Sequence, residues 1–167
     1  MNKGKVGVPL EGFAEFCRKV AAEGAVLLKN EGQNLPIKEG ECISIFGRTQ
    51  INYYRSGTGS GGSVVVEYTT NLLDRLRSKK EITVNEELVD IYEKWVKENP
   101  FDNGGGGWAA EPWHQKEMLL TDELVSEARK KSHKAIVVIG RTAGEDKDNS
   151  DAEGSYQKKV LRPAQKR

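Results

Sequence analysis

Three acids, Glu145, Asp146 and Asp148, follow closely on the apolar run Ala135-Ile136-Val137-Val138-Ile139. A carboxyl group held just past the end of a strand could give or take a proton in catalysis. A second segment, Gly57-Thr58-Gly59-Ser60-Gly61-Gly62, offers backbone able to lie against a ligand. Its letters satisfy G-x-G-x-x-G, but the preceding apolar run ends as early as Phe46, and β-branched Val64 to Val66 follow where a helix should start. That context argues against a dinucleotide fingerprint, and without Gly-Lys-Ser/Thr there is no phosphate loop. The third candidate is Trp108 with Trp113, flanking Glu111-Pro112 after the glycines at 104–107. An exposed indole there could stack on a sugar ring or anchor a partner. His114 and His133 read as unpaired surface residues. Cys17 and Cys42 read as free thiols, and without neighbouring histidines they make no metal site. No metal and no cofactor is expected.

The elements that must hold these residues alternate. Leu10, Phe13, Phe16, Cys17 and Val20 have helical spacing, and Gly24 can end that helix. Ala25 to Leu28 reads as a strand or a buried extended segment. Cys42 to Phe46 is a strand, cut off by Gly47. Helical spacing returns at 70–77, a short strand at 82–84, and an amphipathic helix at 86–98 that Asn99-Pro100 stops. Thr121 caps a further helix whose first turn holds Asp122 and Glu123. Residues 135–139 have the unbroken apolarity of a strand buried on both faces of a parallel sheet. The expected class is α/β, a partial sandwich with a mostly parallel sheet and flanking helices. The loops after Phe46 and Ile139 both leave the C-terminal ends of strands, where open α/β sheets bind ligands.

The chain has 167 residues, with 26 Lys+Arg against 25 Asp+Glu and a net charge of +1. There is no global field to draw in nucleic acid or an anionic membrane, so neither is expected as a partner. No apolar run nears the roughly 18 residues of a membrane span. The first nine residues hold positive charge but no apolar core of a secretory signal, which suggests the cytoplasm. Lys158 to Arg167 holds five positive charges and no acid. Two readings of it stay open, a disordered basic tail and a truncated or frame-shifted end.

Glu23-Gly24-Ala25-Val26-Leu27-Leu28-Lys29-Asn30-Glu31-Gly32 with Asn34-Leu35-Pro36-Ile37 resembles the opening segment of the second domain of glycoside hydrolase family 3. Ser44-Ile45-Phe46-Gly47 and Gly57-Thr58-Gly59-Ser60-Gly61 are similar to its next strand and glycine-rich substrate loop. Val137 to Glu145 resembles the strand and loop bearing its acid/base glutamate. In that family a barrel domain binds the sugar and supplies an aspartate nucleophile, while an α/β sandwich supplies the acid/base in many members. The resemblance implies that residues 1–157 are an incomplete sandwich domain, placed first as in members of inverted order, with the barrel missing. It implies Glu145 as acid/base, Gly59, Ser60 and Gly61 as sugar contacts, and Trp108 on the aglycone side. The implied activity is that of a β-glucosidase-like retaining enzyme on terminal β-linked sugars, with the isolated chain inactive. The sequence departs from the family pattern at Asp146, where relatives often carry glycine. The competing expectation is a non-catalytic carbohydrate-binding or accessory module that stacks sugars on Trp108, Trp113, Tyr53 and Tyr54.

Overall fold

The stripe of Phe13, Phe16, Cys17 and Val20 produces helix α1 (Phe13–Glu23), entered through Gly12 in the left-handed region at φ 78° and ended at Gly24. The computed structural model describes residues 10–54 and 68–146. They fall into two units divided between Pro36 and Ile37. The first contains α1, none of whose residues is buried. The apolar run that follows is neither a strand nor buried: Leu28 is 92% exposed. An extended run becomes a strand only where a neighbour takes up its N–H and C=O groups, and none pairs with residues 25–28 among the described residues.

The second unit is built on a parallel sheet of β1 (Cys42–Phe46), β2 (Thr83–Val84) and β3 (Lys134–Val137), in the order β2-β1-β3. Ile43 pairs with Val84 on one side and Lys134 on the other, and Phe46 ends opposite Val137. Helix α2 (Leu72–Arg77) links the first two strands, while α3 (Glu86–Glu98) and α4 (Asp122–Lys131) lie between the last two. All three carry side-chain caps, from Asn71, Asn85 and Thr121, each accepting from the N–H three residues on. Ile43 and Ile45 pack with Leu73, Val84 and Val89. Phe46 packs in a second cluster with Leu88, Tyr92 and Ala128. The central strand is therefore the one buried on both faces.

The expectation for residues 135–139 is corrected here. Among the described residues β3 is an edge strand, and its burial alternates, with Val137 at 66% exposure. Among the described residues no layer covers that face. Position in the sheet decides burial, and an apolar run carries no information about position.

Candidate functional site

The C-terminal ends of β1 and β3 meet at Gly47. Its φ is 98°, and a Cβ there would strike the Val138 carbonyl oxygen. Only glycine tolerates both conditions, so the chain leaving β1 runs against the chain leaving β3. Gly47 N–H donates to the Tyr92 hydroxyl oxygen at 2.8 Å. Burial is the main cause pushing the Tyr92 pKa up to about 12, so the phenol stays neutral.

Arg48 comes next and is 2% exposed. Its guanidinium donates to the Lys116 carbonyl at 2.8 Å, the Asn99 carbonyl at 2.9 Å and Asn52 Oδ1 at 3.0 Å. It also lies 5.3 Å over the Trp95 ring. Both carboxylate oxygens of Glu117 accept from the Arg48 backbone N–H, at 3.1 and 3.2 Å. Desolvation raises the Glu117 pKa, against the smaller lowering by Arg48, while burial pulls the Arg48 pKa down. Arg48 thus grips both ends of the segment 99–117, which a second tie closes between Asp102 N–H and Gln115 Oε1 at 2.7 Å.

That segment carries Trp108. Gly104 sits where a Cβ would collide with Ala110, which folds the glycine run back on itself. The Trp108 Nε1–H reaches across 38 positions to Asp146 Oδ2, at 2.6 Å. Thr142 N–H donates to the Trp113 carbonyl at 2.9 Å, and the Thr142 hydroxyl to the Tyr54 oxygen at 3.5 Å. Tyr54 meets Phe101 edge to face, with centroids 5.7 Å apart. Asp146 has φ 58°, a region that glycine favours and aspartate tolerates.

Glu145 is exposed on the loop after β3, and Trp108 is 58% exposed. The structure brings Trp108 to the residue beside Glu145. Gly59, Ser60 and Gly61 lie outside the described residues, as do Val64 to Val66 and the tail at 158–167. Of the four aromatics of the competing expectation, Tyr53 and Trp108 are exposed, whereas Tyr54 and Trp113 are half-buried. The reading of the histidines as unpaired surface residues holds in part: His133 is exposed but paired, and His114 is not fully exposed. His133 Nδ1 accepts from Cys42 N–H at 3.0 Å, and His114 is half-buried. Sequence reasoning missed Arg48, Glu117 and Tyr92. The available signal was the polar triplet Arg48-Thr49-Gln50 placed directly after a strand and a glycine, all three of which are buried.

The family model of the glycosyl hydrolase family 3 C-terminal domain matches residues 25–166. The chain belongs to glycosyl hydrolase family 3. It is 47% identical over 144 residues to a β-glucosidase of Ruminococcus albus, covering 86% of this chain and 15% of that protein. With β-glucosidase A of Butyrivibrio fibrisolvens it shares 33% over 139 residues, covering 83% and 16%. Among solved structures it is similar to a β-glucosidase from Paenibacillus barengoltzii, with 67% identity and TM-score 0.87 over 93% of this chain and 17% of that one. β-Glucosidase 3B from Thermotoga neapolitana, solved with α-D-glucose, matches with 30% identity and TM-score 0.73 over 87% and 20%. The family 3 chain thus spans a fifth or less of each of these relatives. Among its described residues, no helix is long and apolar enough to cross a membrane.

Proposed function

We propose that this chain supplies the acid/base side of a retaining β-glucosidase-like active site acting on terminal β-linked sugars. Glu145 gives a proton to the leaving glycosidic oxygen, then takes one from water. Gly59, Ser60 and Gly61 contact the sugar, and the Trp108 ring faces the aglycone. The carrying observation is the position of exposed Glu145 past the end of β3, with Trp108 drawn to the adjacent Asp146 at 2.6 Å. A carboxylate and an exposed aromatic ring at the C-terminal ends of parallel strands suit a sugar leaving group. The relatives named above are β-glucosidases, one of them bound to glucose, which supports the substrate class.

A retaining mechanism needs a second carboxylate about 5–5.5 Å from the first, to attack the anomeric carbon. By the family pattern, that nucleophile belongs to a barrel domain. The free cysteines suit a reducing cytoplasm.

Two measurements test the reading. The purified 167-residue chain should release no nitrophenol from 4-nitrophenyl β-glucoside; measurable turnover contradicts the divided site. When the chain replaces its counterpart segment in the Paenibacillus barengoltzii relative, the chimera should hydrolyse alkyl β-glucosides. Glu145→Gln should then cost roughly 10²–10⁴-fold in kcat, and unchanged turnover removes Glu145 from the mechanism.

A further inference from the structure

We propose that the hydrogen bond from Trp108 to Asp146 is a latch that positions Glu145, so that Trp108 and Asp146 act as positioning residues for protonation of the leaving oxygen. This rests on the reading of Glu145 as acid/base.

The bond is short, at 2.6 Å between Trp108 Nε1 and Asp146 Oδ2, and a carboxylate acceptor makes it one of the stronger kinds of hydrogen bond. Both ends join backbone in an unusual state. Asp146 itself has φ 58°, and Ala109, next to Trp108, has φ 47°. Non-glycine residues persist in that region where surrounding contacts hold them. The Asp146 backbone angle governs how the chain leaves Glu145, so a contact that fixes Asp146 limits the directions open to the glutamate.

The segment bearing Trp108 is itself secured. Arg48 binds both of its ends, at the Asn99 and Lys116 carbonyls. Gln115 and Asp102 tie it internally. The Trp113 carbonyl holds Thr142, three residues before Glu145. The latch therefore joins two anchored segments. It also engages only the indole N–H, which leaves the ring face available to a sugar. A phenyl ring at position 108 would keep the face and lose the donor, so stacking and latching can be separated.

The test begins with the full chain, labelled with 15N-tryptophan. The Trp108 indole signal, identified by its loss in Trp108→Phe, should shift in Asp146→Ala and return towards its original position in Asp146→Asn, which still accepts a hydrogen bond. An indole signal unmoved by Asp146→Ala overturns the latch. In the chimera with the Paenibacillus barengoltzii relative, Trp108→Phe and Asp146→Ala should each lower kcat on an alkyl β-glucoside by on the order of 10- to 100-fold. KM should hold, and the double variant should be no slower than either single one. Read as kcat/KM, which reports the step that cleaves the glycosidic bond, the loss should shrink on a dinitrophenyl β-glucoside, whose leaving oxygen needs no proton, and Asp146→Asn should restore most of the rate on the alkyl glucoside. Wild-type kcat in Trp108→Phe, with a raised KM only in Trp108→Ala, overturns the proposal in favour of a stacking platform. Full alkyl glucoside turnover in Glu145→Gln removes the acid/base reading and the positioning role with it, whatever the indole signal shows about the contact itself.

Discussion

Glu117 holds its charge in an unfavourable place. Desolvation is the largest influence on its pKa and raises it from 4.5, while the Arg48 N–H and charge pull it back only in part. Partial burial is tolerated because both oxygens accept from the Arg48 backbone, which joins the end of β1 to the end of the Trp108 segment. The sign of the pH effect follows. A carboxyl whose folded pKa lies above its unfolded value holds its proton more tightly when folded. Its relative contribution is greatest below the unfolded pKa and is lost as pH rises through the folded one. Glu41, whose pKa Lys134 and the Lys38 N–H lower, works in the opposite sense: its contribution is present at neutral pH and lost in acid. Glu117→Gln isolates the first effect, because Glu41 is unchanged in both proteins. The melting temperature of the variant minus that of the wild type should increase from pH 4 to pH 7. A flat or falling difference over that range contradicts a raised Glu117 pKa.

At the scale of elements, the outcome depended on how local each signal is. β1, α3 and α4 were legible because a β-branched run and a cap residue act within a few positions, and Thr121 accepts from Leu124 N–H as its place before Asp122 and Glu123 suggests. β3 overlaps its apolar run but ends at Val137, and its burial depended on being at a sheet edge, which residues 135–139 do not encode. Residues 25–28 failed for a related reason: a strand needs a partner, and partners are remote in sequence. In the candidate site, Glu145 and Trp108 could each be singled out from the sequence, whereas the bond that brings Trp108 to Asp146 spans 38 positions. Arg48 was overlooked because a charged residue after a strand ordinarily reads as solvated, not as buried under Asn99 and Lys116. The edge assignment has a measurable consequence. Val137 is 66% exposed, whereas Ile45 on the central strand is 0% exposed. Val137→Thr should change stability by less than about 0.5 kcal/mol and raise the soluble fraction, since it removes apolar surface from an open edge. Ile45→Ala should cost about 2–5 kcal/mol through the cavity it leaves. Urea midpoints for the pair decide it: similar losses in both variants would mean that β3 is covered in solution.

Over the whole molecule, protection from solvent is unevenly distributed. Ile43, Ser44 and Ile45 are fully buried in the second unit, and their strand is paired on both sides. The first unit, which ends at Pro36, contains the 11-residue α1 with no buried residue. A helix of that length is marginal in water without tertiary packing. Its ion pair, Lys19 with Glu23 at 3.8 Å, leaves both side chains more than 70% exposed and adds little. Local openings cost less free energy where few apolar contacts must break. Hydrogen exchange on the intact chain should therefore resolve two classes of amide. Those of residues 16–23 should exchange at rates close to those of an unstructured peptide. Those of residues 43–46 should exchange only through opening of the sheet, orders of magnitude more slowly, and Ile45→Ala should accelerate them without altering α1. Slow exchange in α1 would show that the apolar stripe of Phe13, Phe16 and Val20 is covered in solution.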